Sequence, residues 1–203
     1  CWLNKGENEI VVFDILGPRE AKSKGLKEPQ LDKLLHQKRL VHRNEGETLD
    51  LAGESPVLTG KFNPGNGWQE LKLETPRTGR YVCIEALDAI DGGDIASIAE
   101  FYLIDNNGER LSREPWTVDY ADSEETGNGN HSADKIFDLQ ESTYWSSVFG
   151  VEFPHSLVID LGGTRTVSAI QYLPRMESEA PGSIGNFRLY VKNTPFNLNS
   201  QNN

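Results

Sequence analysis

The sequence predicts an all-β fold, a sandwich or a barrel, on three observations. Short β-rich runs recur from residue 57 to residue 192. Clusters of Gly, Pro, Asn and Asp separate many of them, as in Pro64-Gly65-Asn66-Gly67, Asp91-Gly92-Gly93, Asp105-Asn106-Asn107-Gly108 and Gly162-Gly163. Long helical periods are absent. Many short strands with such punctuation indicate a sandwich or barrel.

Taken in order, residues 7–15 (Glu-Asn-Glu-Ile-Val-Val-Phe-Asp-Ile) read as one strand, stopped by Leu16-Gly17-Pro18. One strand is not a domain, so this one belongs to a neighbouring sheet. Residues 18–54 are Lys/Glu-rich and read as a linker. They carry one short helical candidate, Pro29 to His36, with Leu31, Leu34 and Leu35 on one face and Pro29 suited to a first turn. Strands are then expected at 57–62, 67–74, 80–87, 97–104, 116–120, 156–161, 166–173 and 186–192. The gap 121–155 is too long for an idle loop and should hold packed local structure. Residues 198–203 read as a polar tail. The chain opens on Cys1-Trp2-Leu3 without an initiator Met and reads as a piece of a longer protein.

The 203 residues hold 20 Lys+Arg against 31 Asp+Glu, a formal charge of −11. That balance excludes a nucleic-acid surface and an anionic membrane face as natural partners. The acidity is uneven: residues 1–54 carry 9 basic and 10 acidic side chains, residues 55–203 carry 11 and 21. Asp119, Asp122, Glu124 and Glu125 crowd one stretch. A neutral sugar or a protein surface stays compatible with this charge. No apolar run approaches the roughly 20 residues of a membrane span. Two cysteines, Cys1 and Cys83, make no disulfide framework, and Cys83 inside Tyr81-Val82-Cys83-Ile84 reads as a small buried hydrophobe.

Catalytic signatures are missing. His36, His42, His131 and His155 make no metal-ligand spacing with each other or with cysteine. There is no G-x-S-x-G and no phosphate-cradling glycine loop. Asp88, Asp91 and Asp94 lack the alternation of an EF-hand loop. Carboxylates are numerous, but nothing singles out an acid/nucleophile pair.

Two stretches carry family resemblances. Trp2-Leu-Asn-Lys-Gly-Glu-Asn-Glu-Ile-Val-Val-Phe-Asp-Ile15 resembles the closing strand of the last jelly-roll domain of glycoside hydrolase family 35 β-galactosidases. Ala133-Asp-Lys-Ile-Phe-Asp138-Leu-Gln-Glu-Ser-Thr143-Tyr-Trp145-Ser-Ser resembles the signature of coagulation factor 5/8 type C (discoidin) domains, which include the family 32 carbohydrate-binding modules. Companion motifs follow in order: Leu157-Val-Ile-Asp160-Leu-Gly162, Ile170-Gln-Tyr-Leu-Pro174-Arg175 and Phe187-Arg-Leu-Tyr-Val191. The family's later motifs stand upstream instead, as Gly60-Lys-Phe62, Gln69-Glu-Leu-Lys-Leu73, Arg80-Tyr-Val-Cys-Ile-Glu85 and Ser97-Ile-Ala-Glu100. The resemblance therefore implies a galactose-binding-domain-like jelly-roll sandwich in circularly permuted order over 55–197, joined through 105–115. One strand of an upstream β-domain (1–17) and the linker (18–54) precede it. Permutation is physically reasonable because a domain's termini often lie close together at its surface.

What the resemblance implies about sites is specific. A structural calcium would lie beneath the Asp138–Thr143 loop, held by Asp138, Thr143, a carbonyl near Ile136 and Glu100 from the closing strand. Leu139 and Gln140 replace the family's Gly and its acidic or Asn ligand, which weakens that site. A sugar surface would use Phe149 as the stacking aromatic and Arg175 as the charged donor. Ser146 stands where galactose-binding relatives have His, and their Asn falls near Ala180. Phe153, His155 and Glu177 complete the candidate surface, with His131 beside it. Trp145 is expected in the core and Trp68 half-buried on a strand. The implied function is non-catalytic, a carbohydrate-binding accessory module of a bacterial β-galactosidase, periplasmic or extracellular. Its partner would be a neutral galactose-containing glycan. The alternative is a structural domain packing on the upstream catalytic domain or on an oligomer partner.

Overall fold

The computed structural model describes residues 47–177 and 180–200. The expected strand at 7–15 and helix at 29–36 lie outside these residues. Ten strands follow in order: β1 (Glu47–Asp50), β2 (Leu58–Lys61), β3 (Gln69–Ala86), β4 (Ser97–Ile98), β5 (Glu100–Ile104), β6 (Thr117–Ala121), β7 (Trp145–Ser146), β8 (His155–Leu173), β9 (Asn186–Lys192) and β10 (Asn197–Ser200). One 3₁₀ turn, Ala133–Phe137, is the helical element among the described residues. The predicted all-β class holds.

Two expected strand pairs are single long strands. β3 runs through 67–74 and 80–87, and β8 runs through 156–161 and 166–173. They pair antiparallel along their length, with register shifts between Lys72 and Arg77 and between Gly79 and Tyr81. Pro76 cannot donate to the ladder, and Gly162 sits at φ +70°, so both strands bend without separating. A Cβ at Gly79 would meet Val191 and the Lys192 backbone at 2.7–2.8 Å, so the crossing needs glycine there.

The bend makes two layers. In one, β2, β9, the end of β3, the start of β8 and β6 are neighbours. In the other, the start of β3 and the end of β8 lie beside β5. Side chains alternate across each strand, so Val82, Ile84, Leu157, Ile159, Phe187 and Leu189 share the inner core with Ile170 and Tyr172. Phe62 stacks on Tyr172 at 4.1 Å and on Phe187 at 4.4 Å, bridging β8 and β9. β5 and β6 both border β8, so the strands at 97–104 and 116–120 do not fall into separate sandwiches.

The outward residues of the first layer are apolar too. Tyr81, Cys83, Tyr120, Val158, Tyr190 and Phe196 form a second cluster, with Leu49 and Leu51 packed on it. This explains the unbroken buried run at the end of β3, which is covered on both faces. The cover includes β1, whose Leu49 and neighbour Leu51 reach the cluster, and β1 pairs with β10. β1 lies within the stretch read as linker, and β10 runs from the last residue of the expected sandwich into the stretch read as polar tail. Neither has enough β-formers to announce itself, and each is held by its partner and by the cluster beneath. Cys83 is buried and free, as its apolar surroundings imply.

Candidate functional site

Loops 87–96, 143–154 and 174–185 converge at one end of the sandwich. β4 pairs with β7, and Ser97 also bridges Ser183 and donates its N–H to Gly182 O at 2.7 Å. Ser147 locks the next step: its N–H donates to Ala96 O, and its hydroxyl accepts from Ala96 N–H, both at 2.9 Å. Asp94 accepts from Gly150 N–H at 2.8 Å, and Asp91 from Gly182 N–H at 3.3 Å. The aspartates at 88, 91 and 94 are thus spent separately, as loop ties. Asp88 holds the Asn186 side chain and N–H, which keeps its carboxyl below the ordinary range. A shallow pocket of about 350 Å³ lined by Lys61, Asp88, Ile90 and Asn186 lies beside that tie. No expected site residue lines it.

The expected sugar-facing residues divide. Phe149 is 75% exposed at the tip of its loop. Glu177 has a 56% exposed side chain and pairs with Arg175 at 3.4 Å. Burial would raise the Glu177 carboxyl, but its hydrogen bonds and the charges of Arg175 and His131 hold it low. The Arg175 guanidinium lies 3.9 Å over the Tyr144 ring, and His131 stacks on that ring at 4.2 Å. Phe153 is half-buried against the core.

His155 and Ser146 do not lie on that surface. His155 is 0% exposed: Nδ1 lies 2.6 Å from Asp122 Oδ2 and Nε2 lies 2.9 Å from Asp94 O. Burial works against its imidazolium, yet Asp122 and the Asp94 carbonyl outweigh it and raise the pKa above the ordinary histidine value. His155 starts β8 and faces inward, where it ties loop 87–96 to Asp122. Ser146 is buried in β7, and its hydroxyl donates to Ser147 O at 3.0 Å. Trp145 is core, donating Nε1–H to Ser123 O at 3.0 Å.

The loop expected to hold calcium is closed on itself. The Thr143 hydroxyl lies 2.8 and 3.0 Å from the two Asp138 oxygens, Gln140 N–H donates to Asp138 at 2.9 Å, and Lys135 pairs with Asp138 at 3.4 Å. Leu139, at the family's glycine position, keeps φ +69° and is 73% exposed. Glu100 and the Ile136 carbonyl lie beside this loop, where Glu100 feels the Asp138 charge and the Gln140 N–H, but both are engaged by an arginine. The buried Arg113 guanidinium donates from Nη1 to the Glu100 carboxylate, to Phe101 O at 3.1 Å and to Ile136 O at 3.2 Å. Its Nη2 donates to Tyr102 OH at 2.7 Å. Among the described residues no group of three His, Cys, Asp or Glu side chains is placed to share a metal. Neither Arg113 nor Tyr144 was foreseen from the sequence. The available signal for Arg113 was its partner, a carboxylate in the apolar run Ile98-Ala-Glu100-Phe-Tyr-Leu, which needs a cation when buried.

Comparison with known proteins agrees with the galactose-binding-like sandwich. Residues 120–198 match the F5/8 type C domain. The chain is 30% identical over 97 residues, 46% of its length, to a galactose oxidase of Gibberella zeae. It is 36% identical over 74 residues, 34% of its length, to a sialidase of Micromonospora viridifaciens. The matches span only 14% and 11% of those relatives. No helix among the described residues is long and apolar enough to cross a membrane.

Proposed function

We propose that this chain is the non-catalytic carbohydrate-binding accessory module of a secreted carbohydrate-active enzyme, with its β-strands in circularly permuted family order. The observation that carries the reading is Phe149, an aromatic ring in solvent at the loop end where Arg175 and Glu177 sit. A ring of this kind packs on the apolar face of a pyranose, while a few charged and polar groups hold its hydroxyls. The F5/8 type C match and the two relatives, a galactose oxidase and a sialidase, support the same class. The enzyme it serves is a family 35 β-galactosidase, on the resemblance of Trp2 to Ile15, and the ligand is a neutral galactose-containing glycan. A parent of that class cleaves terminal β-galactosides with retention, using two carboxylates outside this chain.

Titration of the chain with galactose, lactose and N-acetylgalactosamine, followed by amide NMR, tests this. Signals of residues 147–154 and 174–177 should move, and Phe149→Ala should abolish the response. Silence at about 50 mM sugar, far above any useful Kd, would reject it. A second reading is favoured by Ser146 and His155 facing inward. In that case the exposed apolar residues Leu139, Phe149, Val151 and Met176 serve packing against the catalytic domain or an oligomer partner.

A further inference from the structure

We propose that the Arg113 guanidinium takes the place of the calcium ion implied beneath the 138–143 loop, so that this domain carries its own cation and folds without a divalent metal.

Glu100 lies on β5 in the core and is 1% exposed. A buried carboxylate is tolerated only when a cation and further hydrogen bonds compensate for its lost hydration. Arg113 provides the cation and a hydrogen bond to one carboxylate oxygen, while Glu100 Oε1 and Arg113 Nε stay without a partner. Nη1 reaches one carboxylate oxygen and two backbone carbonyls, Phe101 O and Ile136 O. A carboxylate with backbone carbonyls is the donor set that a hard cation seeks. Here a planar guanidinium satisfies it from within the chain, and the Tyr102 ring stacks beneath at 3.6 Å. Calcium needs six to eight oxygens. The free supply falls well short: Glu100 Oε1 has no hydrogen-bond partner, but both Asp138 oxygens are already engaged. A dication sharing Glu100 and Ile136 O with Arg113 would also meet direct Coulomb repulsion.

The position of Arg113 adds a second line. It lies between β5 and β6, in the join that a permuted order creates. The next residues anchor it, since a Cβ at Gly162 would meet Pro115 at 2.8 Å. The connection that replaces the family's termini therefore delivers the charge that replaces the ion. This holds whether or not the loop end binds sugar.

Thermal melts of the full 203-residue chain, stripped with EDTA, test the idea directly. With about 5 mM calcium chloride the Tm should stay within ~1 °C of the EDTA value, since a site saturated a hundredfold would raise it several degrees. Such a rise, or terbium emission sensitised by tryptophan, would overturn the proposal. Arg113→Met should lower the Tm by about 10 °C, because it leaves the buried Glu100 carboxyl without its cation. The pair Glu100→Gln/Arg113→Met should regain more than half of that loss, still without a calcium response. An Arg113→Met chain as stable as the parent would overturn the proposal. So would a double variant no better than the single one, since the loss would then be one of packing.

Discussion

The Glu100 pocket and the Phe149 loop end hold similar chemistry and use it in opposite ways. Each pairs an arginine with a glutamate beside a tyrosine ring: Arg113, Glu100 and Tyr102 in one, Arg175, Glu177 and Tyr144 in the other. In the first the guanidinium is buried and spread over four acceptors. In the second the carboxylate is mostly in water. Even so, Glu100 Oε1 and Arg113 Nε are buried without a partner, so the first pair is closed to solvent rather than complete, while the second leaves its polar groups where a ligand can use them.

That contrast can be broken most forcefully at Arg113. Arg113→Met should destabilise the chain by about 3–5 kcal/mol, the cost of stranding a buried charge, read from urea unfolding. If Glu177→Gln cost as much, the two pairs would not differ in kind; an exposed pair should contribute about 0–1 kcal/mol.

His155 gives the next effect, visible against pH. Its folded pKa is raised by Asp122 over the opposing effect of burial. Its contribution is therefore fully present below the ordinary histidine value of about 6.5 and is lost as pH rises through the folded value. Urea midpoints should fall as pH rises above about 6.5 and through the raised folded value, and Asp122→Asn should flatten that part of the slope. A smaller gain is expected at Leu139, held at φ +69°. Leu139→Gly should stabilise by about 1 kcal/mol, because glycine has no Cβ to strain in the left-handed region. At the loop end, Phe149→Ala should change stability by less than about 0.5 kcal/mol, while removing any sugar response.

Much of the fold was legible because strands leave local marks. The run at 186–192 coincides with β9, and the run at 116–120 lies one residue from β6. The marks failed where the partner made the element. Runs at 67–74 and 80–87 read as separate strands, yet the ladder resumes at Arg77 opposite Val167 and joins them as β3. Glu47–Asp50 and Asn197–Ser200 have little β-propensity and exist as strands through each other. At the loop end, the resemblance names Phe149 as an outward aromatic, and the structure shows it exposed. His155 could not be placed from sequence, because facing in or out depends on Asp122, 33 residues away. Arg113 escaped for the same reason, with an acceptor on β5 and another in the 3₁₀ turn.

The pairing of β1 with β10 has a mechanical side. Glu47 lies opposite Ser200, so the points where the backbone enters and leaves this strand pair are next to each other. Tension applied through both would peel the ladder open one rung at a time rather than shear all its bonds together. Tyr81, Cys83 and Tyr190 beneath would be uncovered while the inner layers stayed closed. Under load the sandwich would give first at its outer skin, well away from the loop end that carries Phe149.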